Sequence, residues 1–103
     1  MYGLIGNMIA VSGHRDELIA ILVNAVSNMP GCLSYVVAKD SSDEDTIWVT
    51  EVWDSKDSHD ASLSLASVKS AIIAARPMIA RFGNQVTTIP MGGHGLPNEV
   101  KAR

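Results

Sequence analysis

A chain of 103 residues with 47% hydrophobic and 18% charged residues fits one domain, and a domain of this length buries roughly 60–70% of the surface its unfolded chain exposes. The formal net charge of −3 provides no basic stripe of the kind that neutralises phosphates or anionic lipid, so nucleic acid and membrane surfaces are excluded as expected partners. The single cysteine, Cys32, excludes an internal disulfide and makes the cytoplasm the expected compartment.

Tyr2 to Val11 is apolar on both parities, with Ile5, Ile9 and Val11 on one face and Leu4, Met8 and Ala10 on the other. This predicts a central strand covered on both sides. The stretch has no basic leader, and at about ten residues it is half the length that spans a bilayer. Asn7 interrupts the Ile5/Ile9 face, and a buried amide must find hydrogen-bond partners. Ser12-Gly13 break the strand. Asp16 and Glu17 then suit a helix N-terminus, and Leu18, Ile21, Leu22, Ala25 and Val26 repeat at helical spacing, predicting a helix from about Arg15 to Asn28. Met29-Pro30-Gly31 ends it.

Cys32 to Lys39 alternates as a second strand. The acidic run Asp40 to Asp45 reads as a solvated loop, because it lacks the glycine-centred, glutamate-terminated spacing of a calcium site. Ile47 to Trp53 is rich in β-branched and aromatic residues and predicts a third strand, hairpin-paired with the second. Glu51 and Trp53 share one face and Trp48 takes the other. Asp54 or Ser55 is placed to cap the helix that follows. A carboxylate, two indoles and the imidazole of His59 thus gather near one strand end, where a site is first expected.

His59, Ser62, Leu63 and Ala66 share one helical face; Leu65, Val68, Ala71, Ile72, Ala75 and Ile79 form a second stripe. Two short helices or one bent helix are expected, with Pro77 kinking or restarting the second stripe. Phe82 to Ile89 reads as a last strand. The folded domain is expected over residues 1–91, leaving 92–103 as a glycine- and proline-rich tail. Strand, helix, strand, strand, helices, strand is the split βαβ order of a ferredoxin-like α+β sandwich: a four-stranded antiparallel sheet with helices on one face. The bare face is apolar too, so a second copy of the chain is expected to cover it in a homodimer.

The Pro30-Gly31 to Tyr35 segment, the Glu51, Trp53, Ser55, Lys56 segment and the element order resemble the antibiotic biosynthesis monooxygenase (ABM) domain family, over about Leu4 to Ile89. The resemblance implies a dimeric α+β barrel, a pocket in each subunit between sheet and later helices, and cofactor-independent oxygenation of phenols or quinols. A related branch degrades haem, using an asparagine on the first strand with a helical tryptophan and histidine. Asn7 matches the first, but the other two places fall near Ser62 and near Ile72 or Ile73, so haem degradation is not expected. Quinol-oxidising members often carry a histidine where this chain has Ser62, and His59 lies one turn earlier on the same helical face.

His59 is accordingly expected as general base, or else as a helix residue at the solvent edge. Asn7 either donates to a developing oxyanion or satisfies neighbouring backbone. Trp53 offers a flat wall and one N–H donor, or simply core packing. Glu51 and Arg76 can hold substrate or make structural ion pairs, and Tyr35 can donate its hydroxyl or pack on its strand. The leading expectation is a monooxygenase acting with O2 on a small phenolic or quinol-like aromatic substrate, with no cofactor and no metal. The alternatives are a non-catalytic homodimer that binds a small ligand, and an isomerase or lyase on the same scaffold.

Overall fold

The computed structural model describes residues 1–99; the end of the expected tail, 100–103, lies outside the described residues. Strand β1 (Tyr2–Ala10) is followed by helix α1 (Arg15–Ala25), strands β2 (Cys32–Lys39) and β3 (Thr46–Trp53), and helices α2 (Lys56–Ser62) and α3 (Ala66–Ala75). A 3₁₀ turn at Arg76–Met78 then leads into strand β4 (Ile79–Thr88). All pairings are antiparallel and the sheet order is β2-β3-β1-β4, so this is the expected ferredoxin-like α+β fold with β1 inside the sheet.

Two boundaries differ from the periodicity. α1 stops at Ala25 because Asn28 (φ 58) and Gly31 (φ 84) take left-handed backbone, which ends a right-handed helix. Ile79, spaced as if it continued the α3 stripe, instead begins β4. Pro77 cannot donate to the helix ladder, so the last turn tightens to 3₁₀ and the chain extends immediately after it.

The register sorts the side chains cleanly between two faces. On the helix side, Ala10, Ile47 and Val49 meet Leu18 of α1 and Ala75 of α3 in the buried core, with Leu18 and Ile47 fully excluded from solvent. On the opposite side Val36, Thr50, Ile5 and Val86 form one row across all four strands. The three apolar members, Ile5, Val36 and Val86, are 38%, 52% and 54% exposed. Trp48 lies on that side as well, and its Nε1–H donates to Asp40 Oδ1 at 2.8 Å. Backbone N–H groups of Asp43 and Ser42 donate to the other Asp40 oxygen. The Asp43 N–H, then the Trp48 indole, hold the Asp40 carboxyl below the usual carboxylate range. The acidic loop is thus folded around one of its own carboxylates.

Candidate functional site

A cavity of about 410 Å³ lies between the sheet and the helices, a volume suited to one small organic ligand. Its floor includes Met8, Tyr35, Glu51 and Trp53, and its walls come from α1 as well as from α2 and α3. The lining is aliphatic except where Tyr35, Glu51, Trp53, His59, Ser62, Arg76, Arg81 and Phe82 reach it. Five of the six residues expected at a site (His59, Trp53, Glu51, Tyr35 and Arg76) therefore share one cavity. Asn7 is not among its lining residues.

His59 is placed by the start of α2. Ser55 is the N-cap, its side chain accepting the Ser58 N–H at 3.1 Å, and the Asp54 N–H donates to the Gly31 carbonyl at 2.9 Å. A Cβ at position 31 would run into Ser58 and Asp54, so only glycine lets α2 begin this close to the start of β2. One turn along, the His59 ring meets Trp53 edge-on at 5.5 Å and Tyr2 at 5.4 Å, and its side chain is 18% exposed. Nδ1 is 3.0 Å from Asp60 Oδ1, the arrangement in which Nδ1–H donates and Nε2 is left as the basic nitrogen. Asp60 also accepts from Lys56 Nζ at 2.7 Å. Lys56 first, and His59 second, hold its carboxyl below the usual range. Ser62 uses its hydroxyl on the backbone, donating to the His59 carbonyl at 2.6 Å.

Trp53 is 1% exposed, and its Nε1–H donates to Glu51 Oε1 at 3.0 Å. Tyr35 stands directly across from Glu51 in the β2–β3 ladder. Burial pushes the Tyr35 hydroxyl well above the ordinary phenol range, and the charges of Glu51 and then Cys32 add to it. The Cys32 thiol is raised for the same two reasons, burial and then Glu51, partly offset by its hydrogen bond to the Ser34 carbonyl. Tyr35 is therefore a proton-bearing donor beside a carboxylate throughout the neutral range. Among the described residues neither Glu51 nor Arg76 forms an ion pair.

Asn7 belongs to the β1–β4 seam. The ladder slips between Gly6 and Met8, and at that bulge Asn7 Oδ1 accepts the Asn84 N–H at 2.9 Å. Gly83 permits this, since a Cβ there would overlap the Asn7 carboxamide. Asn7 lines a second cavity, of about 380 Å³, with Asn84 and Gln85; Met8, Tyr35, Glu51 and Phe82 line both cavities.

Tyr2, Asp60 and Arg81 are absent from the residues expected at the site. The parity that groups Leu4 with Met8 also includes Tyr2, and Asp60 adjoins His59 in the sequence. Arg81 had no usable signal, because its position precedes the strand that periodicity located.

Tyr35 yields a pH prediction. A phenol whose folded-state value lies above its unfolded value contributes its full stability below about pH 10 and loses it as pH rises beyond that, at up to about 1.4 kcal/mol per pH unit. Thermal melts between about pH 9 and about pH 11.5 should therefore show the wild type losing stability faster than Tyr35→Phe. Parallel curves would refute the buried phenol.

The fold and cavity together define a ferredoxin-like α+β protein with a ligand-sized hollow under its helices. The family model for antibiotic biosynthesis monooxygenase matches residues 1–72. A Chloroflexus aurantiacus crystal structure bearing that family description is 61% identical over 93% of this chain and 98% of its own, with a TM-score of 0.91. Structures from Deinococcus radiodurans and Caulobacter crescentus, at 24% and 22% identity, cover 90% and 84% of this chain and 95% and 84% of their own. Both have TM-scores of 0.73 and show the shared fold. No curated protein matches the chain. The chain belongs to the antibiotic biosynthesis monooxygenase family. No helix among the described residues is long and apolar enough to cross a membrane.

Proposed function

We propose that the protein is a cytoplasmic homodimer that oxidises a phenolic or quinol-like aromatic with O2, without a cofactor. The observation that carries this reading is the meeting of a proton acceptor, a proton-bearing phenol and an indole wall in one largely aliphatic cavity. His59 removes the phenolic proton, and the electron-rich ring reduces O2 and joins to it as a peroxide at a ring carbon. The protonated base returns its proton to that peroxide. Loss of the hydrogen on the same carbon, with cleavage of the O–O bond, then releases water and leaves a quinone. Tyr35 steadies the developing oxyanion, Trp53 and Glu51 orient the ring, and Arg76 holds the far end of the substrate.

Oxygen uptake with a panel of hydroquinones and anthrones tests the reaction. Uptake matched by quinone formation is expected. No turnover with any compound would leave a ligand-binding dimer, and product formed under strict anaerobiosis would make it an isomerase or lyase.

The dimer is supported by the exposed Val36, Thr50, Ile5, Val86 row, which one sheet can present to an identical sheet. Light scattering at micromolar concentration should give twice the chain mass, and Val36→Glu with Val86→Glu should shift it to the monomer. A monomeric wild type would refute the pairing.

A further inference from the structure

We infer that the larger cavity takes an aromatic acid: a planar apolar body with a hydroxyl at one end and a carboxylate at the other. The inference rests on the reading of this cavity as the substrate site, and it concerns which substrate class that site selects.

The cavity carries opposite charges at its two ends. Glu51 lines it from β3, whereas Arg76 lines it from the 3₁₀ turn between α3 and β4. Glu51 stands level with Leu4 of β1, whereas the turn that carries Arg76 closes where the Val11 N–H donates to the Met78 carbonyl, beyond the other end of that strand. Neither of the two forms an ion pair among the described residues. Opposite charges that share a hollow without meeting leave both ends open to a ligand.

The acidic end is shaped for a hydroxyl. Glu51 Oε1 is fixed by the Trp53 N–H, so its second oxygen can accept an O–H, while Tyr35 can donate to the same ligand oxygen. The basic end is shaped for an anion. The Arg76 guanidinium, with five N–H donors and no acceptor, stands exposed at the rim, and arginine pairs with carboxylates through two parallel hydrogen bonds. Aliphatic side chains such as Leu22, Val68 and Ile72 fill the interval and suit an aromatic body. The chain as a whole is negative, with a formal net charge of −3, so general attraction cannot draw an anion to it. A preference for carboxylates is therefore assigned to Arg76.

Titration calorimetry with 6-hydroxy-2-naphthoate, its methyl ester and 2-naphthol tests this without any turnover. At low ionic strength the acid should bind about tenfold more tightly than the ester or the naphthol, the ratio expected for one charge-assisted pair at a partly exposed site. In Arg76→Gln that advantage should vanish while ester affinity holds; circular dichroism should confirm the fold, since Arg76 has no ion-pair partner among the described residues to lose. Equal binding of acid and ester, an advantage that survives in Arg76→Gln, or no binding of any probe would overturn the inference. Tight binding of the acid without oxygen uptake would overturn the oxygenase reading and leave this one standing. Oxygen uptake on neutral quinols with no preference for acids would do the reverse.

Discussion

Replacing Trp53 with alanine is expected to destabilise the protein by about 3–5 kcal/mol, a large share of the roughly 5–15 kcal/mol that a typical domain holds. The residue ends β3 and is among the largest fully buried side chains, at 1% exposure, with the His59 ring against its edge. Truncation therefore opens a cavity under α2 that rigid neighbours cannot close. It also strips Glu51 of its donor, leaving a half-buried carboxylate short of a hydrogen bond. Trp53→Phe separates the two effects: it keeps most of the volume and should cost about 1–3 kcal/mol, mainly through Glu51. Urea denaturation at one fixed protein concentration checks both, since a dimer's apparent stability moves with concentration. A loss under about 1 kcal/mol in Trp53→Ala would mean that α2 collapses onto the sheet and that the cavity is not held open by this indole.

Local patterns carried most of the fold. Cys32–Lys39 alternates clearly enough that its limits match β2, and the polar residue after Trp53 that caps the helix is Ser55. Where periodicity misled, a local backbone constraint or a contact from elsewhere in the chain decided the outcome. The β1–β4 slip at Asn7 depends on Gly83 and Asn84, the latter 77 positions away, and no periodicity in either strand encodes it. Ile79 kept helical spacing, yet Pro77 overruled the pattern. The site divides in the same way. Glu51, Trp53 and His59 were legible because one strand and one capped helix put them side by side. Arg81 was not, because its approach to the cavity follows from where β4 begins. Asn7, singled out because an amide breaks an apolar face, has its oxygen committed to the Asn84 backbone; the same signal marks a bulge as readily as a site.

His59→Ala should lower kcat by about 10²–10⁴-fold on any phenol the enzyme turns over, with little change in KM, as expected when a positioned proton acceptor is removed. The fold should persist, because the ring lies at the cavity edge against Tyr2 and Trp53 and not in the Leu18–Ile47 core. Added imidazole should restore part of the rate by occupying the vacated space. Glu51 is the rival acceptor, since it lines both cavities and stands across from Tyr35. The two residues are separable by comparing His59→Ala with Glu51→Gln. If the imidazole is the base, the first loses kcat while the second chiefly raises KM, because the substituted carboxamide can still accept one hydrogen bond but holds the ring less firmly. A rate that falls less than about fivefold in His59→Ala, together with a collapse of kcat in Glu51→Gln, would transfer the proton to the carboxylate. Asp60→Asn adds an internal control. It weakens the Nδ1 contact at 3.0 Å without touching the cavity, and so should cost a smaller factor than His59→Ala, and none at all if Glu51 is the base.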